Sequence, residues 1–305
     1  MSSTSVESRE FKVGGRTVRV SRPDKALFPD DGITKADLAR YYRTVAHRML
    51  PQLRGRPLML ERHPDGIGGV SFMQKDVPEY FPDWIHRVEL PKQHGTVTYV
   101  LCDDTATLLH LVDQGCITPH RFLSKADRPD HPDRLIFDLD PPGDDFASVR
   151  TAALLLREML EQLRLPSAVM TTGSRGLHVL VPLDRSETFD EVRSFAGDVA
   201  ELLALSHPDT LTTEVRKEAR EKRLYLDIQR NAYAQTAVAP FAVRAHPGAP
   251  VAAPVSWTEV EDDAVGARGF TLRDISARLE VNPWQDVFRR GRSLGGARRR
   301  LDRLC

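Results

Sequence analysis

The chain has 305 residues, of which 41% are hydrophobic and 28% charged, and its 43 basic side chains balance 43 acidic ones. It is long and apolar enough to bury a sizeable core in one large domain or two closely fused ones, which excludes wholesale disorder. The zero net charge excludes a global attraction to nucleic acid, so any anion site must come from local clusters of basic side chains.

Cysteine usage and hydropathy indicate the compartment. Cys102, Cys116 and Cys305 are scattered without a C-x-x-C pair, which fits a reducing environment and argues against a zinc ribbon. The first residues lack the basic and apolar regions of a leader, and no apolar run approaches the roughly 18 residues of a membrane span. We therefore expect a cytoplasmic protein with no membrane partner.

A helix is predicted over residues 34–50, because Thr34 with Asp37 makes a capping pattern and apolar residues then recur at helical spacing until Pro51. The Pro- and Gly-rich residues 245–254 predict an extended arm. Alternation of apolar and polar residues predicts strands at 96–101, 134–140, about 167–172, about 177–183 and 223–229. Helical spacing of apolar residues predicts helices at 105–112, at about 146–164 and from a Thr188–Glu191 cap to about Leu205.

The end of the chain is basic. Seven arginines between Arg289 and Arg303 are opposed only by Asp302. That density favours phosphate contact, although such a run is more often a solvated or disordered tail.

Two carboxylates stand two positions apart in the apolar strand predicted over residues 134–140. Successive strand side chains point to opposite faces, so Asp138 and Asp140 share one face while the apolar residues between them face a core. Two anions held so close repel each other unless one is protonated or a cation lies between them, and hard oxygen ligands suit Mg²⁺ or Mn²⁺. The pair predicts a metal site for phosphate chemistry.

A third carboxylate, Asp227, emerges from the strand predicted at 223–229, on the same face as Tyr225 and Gln229. Three aspartates can bridge two divalent ions that stabilise both the attacking and the leaving oxygen of an in-line displacement. Taken alone, Asp227 is equally consistent with a strand-end salt bridge to Arg223.

A tight loop at residues 173–176 joins two of the predicted strands. Its glycines allow backbone amides to face an anion, and Ser174, Arg175 and the following His178 supply polar side chains that can bind phosphates. A plain hairpin needs the same glycines, so both interpretations stay open. Alone, Arg244, Lys25 and Lys35 would be read as surface cations and His120 as a structural histidine.

Together these segments resemble the polymerase module of bacterial ligase D, in the archaeo-eukaryotic primase superfamily. The resemblance covers about residues 21–260, and its motifs occur in the family's order. They are Asp24–Pro29, Gly32–Lys35, Arg62–Ile67, Arg134–Asp140, Gly173–His178, Tyr225–Asn231, Ala239–Arg244 and Pro254–Trp257.

The resemblance implies an α+β, or mixed α/β, fold with central mixed or antiparallel catalytic sheets of primase-polymerase type, flanked by helices. We expect an N-terminal segment at 1–20, a catalytic domain at 21–285 and an Arg-rich tail at 286–305. Within the catalytic domain, an N-terminal module would span about 21–125 and the catalytic sheet module about 126–260.

The resemblance also implies a nucleotidyltransferase that fills gaps and extends ends of DNA in end joining or short-gap repair, at the nucleoid, with NTPs or dNTPs and two divalent ions, Mn²⁺ or Mg²⁺. The implied metal ligands and catalytic residues are Asp138, Asp140 and Asp227. The implied nucleotide-binding residues are Ser174, Arg175, His178, Arg244 and His120. Lys25 and Lys35 would hold the 5′-phosphate across a gap, and Phe72, Met73 and Lys75 would contact template or base.

Three positions depart from the family pattern. Met73 stands where an aromatic residue is common, Thr118 where a glutamate precedes the histidine, and Arg175 where a lysine is common, which keeps the charge but changes its geometry. The Lys-x-Asp-Gly motif of a ligase nucleophile is missing, so we expect sealing by a separate DNA ligase, with Ku as a further possible partner.

Two alternatives remain. A haloacid-dehalogenase-type phosphatase also has an apolar strand ending in Asp-x-Asp, but it needs Thr or Val where this chain has Pro142, and it gives Asp227 no role. A non-catalytic DNA-end-binding protein would keep the basic residues, and only the intact set of three aspartates argues against it.

Overall fold

The computed structural model describes residues 7–262 and 265–304. These form two compact units, each built around its own sheet. Unit 1 holds the described residues up to Arg121 with Val238–Val251 and Phe270–Glu280, and unit 2 holds the rest. The first residues, where we looked for a leader, and Cys305 lie outside the described range, whereas Cys102 and Cys116 are buried free thiols.

Unit 1 is mainly antiparallel. Its elements are β1 (Ser8–Val13), β2 (Arg16–Ser21), β3 (Ala26–Phe28), β4 (Ile33–Thr34), α1 (Lys35–Leu53), β5 (Pro57–Arg62), β6 (Phe72–Gln74), β7 (Arg87–Pro91), β8 (Thr96–Leu101), α2 (Thr105–Asp113) and β9 (Cys116–Phe122). Strands β9, β5, β8 and β7 lie side by side in that order, and β6 pairs with the outer part of β5.

Helix α1 confirms the predicted Thr34 cap, with Asp37 completing a capping box. The predicted end at Pro51 is wrong, because the helix continues to Leu53. A proline near the end of a helix removes a single backbone hydrogen bond, and burial of Leu50 and Leu53 offsets that loss.

Unit 2 contains a six-stranded sheet in the order β15-β16-β12-β14-β13-β18. Only the β15–β16 pair is parallel, and helices α3 and α4 pack on the sheet. The elements are β10 (Ser124–Lys125), β11 (Arg128–Pro132), β12 (Arg134–Asp140), α3 (Phe146–Gln162), β13 (Ala168–Thr171), β14 (Leu177–Pro182), α4 (Phe189–Ser206), β15 (Leu211–Thr212), β16 (Leu224–Asp227), β17 (Thr236–Val238), β18 (Pro254–Val255), α5 (Trp257–Glu261) and α6 (Gly295–Leu301).

The strand predicted at 134–140 and the Thr188–Glu191 cap are confirmed. The strand predicted at 223–229 is shorter, because the Asp227 carboxylate accepts a hydrogen bond from the Gln229 amide at 2.7 Å and the chain turns there. Gln229 therefore does not continue the strand face of Asp227.

The basic end of the chain is not the solvated or disordered tail that we expected. It forms α6, which buries Ala297 and Leu301, and the upstream Trp284 donates its indole N–H to the Val169 carbonyl at 2.9 Å. Apolar residues spaced between the arginines supply the packing that a fully charged tail would lack. Every helix within residues 7–262 and 265–304 is too short or too polar to cross a membrane.

Candidate active site

Three predicted site residues meet across neighbouring strands of unit 2. Asp138 at the centre of the sheet lies opposite Asp227 of β16 on one side and opposite His178 of β14 on the other. Asp140, two residues further along β12, shares the strand face of Asp138 and lies opposite Tyr225. Strand pairing therefore brings together acidic residues from two distant segments of the chain.

A buried asparagine, which sequence reasoning did not single out, fixes this register. Asn231 has no exposed surface, accepts a hydrogen bond from the Ile136 amide at 2.9 Å and donates to the Ile136 carbonyl at 2.7 Å. Its side chain thus continues the hydrogen bonding of β12 where β16 has ended. The signal was present in the Tyr225–Asn231 motif, but a polar side chain that pairs with backbone cannot be recognised from residue type alone.

The turn at residues 173–176 approaches β12 very closely. A Cβ atom added to Gly176 would lie 1.9 Å from the Leu139 carbonyl oxygen, so only glycine permits this contact. Strand β14, which follows the turn, is the neighbour of β12 in the sheet. The turn therefore lies beside the aspartate strand through a hairpin.

The turn does not present all of its amides as an open anion cradle. The Ser174 and Gly176 amides both donate to the Thr172 hydroxyl, at 3.3 and 3.2 Å. What the turn presents is Arg175, whose guanidinium donates to Asp140 Oδ2 at 2.8 Å. Arg268, which we had not considered, donates to the Ser174 carbonyl at 2.8 Å.

Two basic side chains flank Asp138. Burial raises its pKa, but His178 at 3.4 Å from Oδ1 and Arg230 at 3.2 Å from Oδ2 lower the pKa more, to about 2. Asp227 behaves in the opposite way. Its burial and the neighbouring Asp138 charge raise its pKa above the ordinary value, despite the Gln229 amide. Asp138 is therefore held as an anion, while the free-energy cost of ionising Asp227 is only partly offset by the Gln229 amide and the charges of Arg230 and Arg220.

The donor set has the hard oxygen chemistry that Mg²⁺ or Mn²⁺ needs, and the backbone register brings all three aspartates together. The carboxylates of Asp138 and Asp140, however, are directed to basic side chains, and among residues 7–262 and 265–304 no three His, Cys, Asp or Glu side chains are set to hold a metal ion. The residues fit a metal by chemistry and by strand position, and the carboxylates would have to exchange their basic partners for it.

Unit 1 contains the predicted residues His120 and Arg244. His120 lies 3.0 Å from Glu61 Oε2, and His63 lies 3.2 Å from Glu61 Oε1. Arg244 is close enough to lower the pKa of Glu61. Thr118 is the register partner of Glu61 on β9, and its hydroxyl donates to the Val243 carbonyl at 2.7 Å. Glu61 is a second residue that the sequence did not reveal.

A pocket in unit 1 contains Lys25 and Lys35. Lys25 makes an ion pair of 2.5 Å with the exposed Asp65. Lys35 is only 4% exposed and donates to Asp113 at 2.7 Å and to the Ser21 carbonyl at 2.9 Å. Eight further residues line the pocket, and two of them are arginines. They are Ser21, Arg22, Leu27, Arg62, Pro64, Asp113, Gln114 and Gly115. The pocket is therefore cationic, with Lys25 as its accessible lysine and Lys35 as a buried charge.

The predicted template contacts lie on or next to the short strand β6, also in unit 1. Phe72 and Met73 are 44% and 48% exposed, and Lys75 is exposed as well. The Arg62 guanidinium stacks over the Phe72 ring at 5.2 Å. Large apolar side chains left in solvent at one sheet edge mark a surface for stacking or docking.

Comparison with known sequences identifies the family. The family described as LigD, primase-polymerase domain matches residues 34–288, most of the chain. The chain belongs to this family. The resemblance found in the motifs is thus confirmed, and the chain is a nucleotidyltransferase of the DNA polymerase class. Membership in the LigD primase-polymerase family gives no support to the haloacid-dehalogenase alternative.

Several longer bacterial proteins are similar to the chain. LigD of Mycobacterium tuberculosis, a multifunctional non-homologous end joining DNA repair protein, is 32% identical over 271 residues, which cover 86% of this chain and 35% of the relative. The LigD proteins of Pseudomonas aeruginosa and Bacillus subtilis are each 31% identical, covering 93% and 87% of this chain and 34% and 43% of theirs. The chain thus spans about a third of the length of the first of these relatives.

A solved structure supports the same assignment. The polymerase domain of Mycobacterium tuberculosis ligase D in complex with DNA superposes with a TM-score of 0.82 at 29% identity, covering 88% of this chain and 96% of that domain. This confirms the predicted α+β fold with catalytic sheets flanked by helices. Enzymes of the LigD primase-polymerase type generally use divalent metal ions.

Proposed function

We propose that the chain is a template-dependent polymerase that fills gaps and extends ends of broken DNA, with NTPs or dNTPs, in end joining or short-gap repair. The register of Asp138, Asp140 and Asp227 beside the turn that carries Arg175 is the observation that supports this most. The named relatives are end joining proteins, and the superposed domain is bound to DNA. Such a substrate places the activity at the nucleoid.

We assign the binding of two divalent ions, Mn²⁺ or Mg²⁺, to the three aspartates. When bound, such ions activate the attacking hydroxyl and neutralise the triphosphate. The chain's own contribution is to keep Asp138 ionised and to hold basic side chains next to the carboxylates. Arg175, which pairs with Asp140, would supply the guanidinium donors for phosphate oxygens if Asp140 held a metal ion instead.

Binding roles follow for the other residues. Ser174, Arg175 and His178, and in unit 1 His120 and Arg244, would contact the triphosphate. Phe72, Met73 and Lys75 would contact template or base. The catalytic sheet module would comprise about residues 126–260 and the N-terminal module about 21–125. The basic end of the chain from about 286 belongs to the same compact unit as the catalytic sheet.

The cationic pocket of unit 1 suits a 5′-phosphate, because a terminal dianion distinguishes a broken strand from a continuous backbone. Lys25 would contact it, and the buried Lys35 would add positive potential. A DNA ligase activity would seal the product, and Ku would be the end-binding partner.

The test is extension of a primer across a gapped duplex with a 5′-phosphate, in Mn²⁺, with each NTP and dNTP. We expect template-directed addition by the wild type and a loss of at least roughly 100-fold in Asp227→Asn. The control is Glu201→Gln, which neutralises an exposed carboxylate on α4 and should leave extension unchanged.

Binding of the gapped duplex, measured by fluorescence anisotropy, should be nearly the same in all three proteins. Full extension by Asp227→Asn would contradict the assigned catalytic role. Duplex binding without any extension by the wild type would select the DNA-end-binding alternative.

A further inference from the structure

Glu61 stands between two histidines at the end of β5 in unit 1. Each of its two carboxylate oxygens is within hydrogen-bonding distance of one imidazole. Oε2 lies 3.0 Å from Nε2 of His120, and Oε1 lies 3.2 Å from Nε2 of His63. The Glu61 side chain is 21% exposed, and those of His120 and His63 are 13% and 8% exposed. An acidic group is therefore built into a region to which we assign the binding of an anionic triphosphate.

The carboxylate is ionised. Burial raises the pKa of Glu61, but the hydrogen bonds with His120 and His63 and the charges of His120 and Arg244 lower it well below its ordinary value. An ionised carboxylate only accepts hydrogen bonds, so Nε2 must carry a proton in both histidines. Glu61 thereby fixes the protonation of one ring nitrogen of His120.

The same contact favours the imidazolium. His120 can donate to Glu61 and to a second acceptor at once only when both of its nitrogens are protonated, and an adjacent carboxylate stabilises that state. The other titratable groups coupled to Glu61 are His63, Arg244, the buried Cys116 thiol and the buried Tyr42 hydroxyl. Burial raises the pKa of both Tyr42 and Cys116, which leaves Glu61 as the only anion in this set.

We propose that Glu61 is a positioning residue, which fixes the His120 ring and keeps it doubly protonated so that His120 can donate to a triphosphate oxygen. This rests on the triphosphate-binding role assigned to His120 above. The opposite expectation is simple repulsion, in which a carboxylate beside a phosphate site weakens nucleotide binding. The two differ in the sign of the effect of neutralising Glu61.

The first experiment measures binding of α,β-methylene ATP to the protein–gapped duplex complex in Mn²⁺ by calorimetry. We expect Glu61→Gln and His120→Gln each to weaken nucleotide binding by about tenfold. Either change removes the charged His120 imidazole as a hydrogen-bond donor to the triphosphate. The double variant should be no weaker than His120→Gln alone, since a residue that acts through another is not additive with it. Glu89→Gln, an exposed glutamate on β7, is the matched control and should bind as the wild type does.

The second experiment observes the His120 ring directly and does not depend on nucleotide binding. In protein with ¹⁵N-labelled histidine, a His120 imidazole N–H bound to a carboxylate gives a protected, downfield proton resonance, assigned by its loss in His120→Gln. We expect this resonance in the wild type, and we expect Glu61→Gln to shift it upfield or abolish it.

The outcomes separate this inference from the proposed function. Unchanged or tighter nucleotide binding by Glu61→Gln, or a wild type without the downfield resonance, would overturn the positioning role even if the wild type extends primers. A wild type that shows the resonance but neither binds nucleotide nor extends primers would instead defeat the polymerase proposal. The role proposed for Glu61 and His120 in nucleotide binding would then fall with it.

Discussion

Asp138 and Asp227 lie directly opposite each other on antiparallel neighbouring strands, and basic partners compensate Asp138 more fully than Asp227. His178 and Arg230 keep Asp138 ionised, whereas burial and the Asp138 charge raise the pKa of Asp227. Like charges placed opposite each other on a sheet destabilise it. The acidic cluster therefore costs folding free energy, as expected of a site built to bind cations.

That cost predicts a stabilising mutation. A carboxyl whose pKa is higher in the folded than in the unfolded chain destabilises the fold once the pH exceeds both values, and the cost disappears as the pH falls. Asp227→Asn removes the charge but retains an oxygen to accept the Gln229 amide. In EDTA at pH 7 we expect its melting temperature to rise by about 2 °C while extension is lost. Equal melting of Asp227→Asn and Glu201→Gln would contradict the charge argument.

Several of the strands and helices could be predicted because periodicity is local. Strand 134–140 and the Thr188 cap follow directly from residue spacing. The C-terminal segment was misjudged because its arginines outnumber the few apolar residues, Ala297 and Leu301 among them, that pack it. Charge density describes a surface, but the contacts of a few buried residues decide whether a segment is ordered.

The site could be predicted only in part. The aspartates follow from a motif, whereas Glu61 and Asn231 matter through partners far along the chain, His120 and Ile136. Single-sequence reasoning assigns roles by residue type, and neither of these residues is unusual in type. What distinguishes them is strand register, which the sequence pattern alone does not specify across such distances.

The close approach of Gly176 to β12 predicts a steric effect of mutation. Gly176→Ala would place a methyl group 1.9 Å from the Leu139 carbonyl oxygen, which neither strand can accommodate without shifting. We expect a loss of about 3 kcal/mol in the free energy of unfolding and a loss of extension. Gly143→Ala is the control, because an added Cβ there meets no atom within 4 Å. Urea titrations of both variants give the comparison, and equal midpoints would disprove the close contact.

Lys25 and Asp65 should affect 5′-phosphate binding in opposite directions. Lys25→Ala should weaken binding to a 5′-phosphorylated gap more than to a 5′-hydroxyl gap and lower the salt slope by about one. Asp65→Asn removes the carboxylate that pairs with Lys25 at 2.5 Å and should strengthen binding. Lys12→Ala, an exposed lysine on β1, is the control. Anisotropy at several salt concentrations measures each variant, and weaker binding by Asp65→Asn would contradict the arrangement.

Lys35 and Asp113 predict a pH dependence of stability. Burial raises the pKa of Asp113, but the hydrogen bond and charge of Lys35 and the contacts with Ser21 lower it more, below 3.8 overall. A lowered carboxyl pKa contributes stability above the unfolded value, and that contribution is lost as the pH falls through the folded value. Wild-type stability should therefore decline below about pH 4 more steeply than that of Asp113→Asn.

At pH 7 the wild type should be the more stable of the two proteins. Burial already lowers the pKa of Lys35, so the ammonium depends on Asp113 to stay charged, and Asp113→Asn should cost about 3 kcal/mol because it leaves a buried cation without its anion. Urea unfolding between pH 2.5 and 7 measures the free energy of unfolding both at neutral pH and through its decline in acid. Asp30→Asn, which neutralises an exposed carboxylate in the same unit, is the control. Parallel pH profiles of stability for the wild type and Asp113→Asn would show that the Lys35–Asp113 pair does not determine the loss of stability in acid.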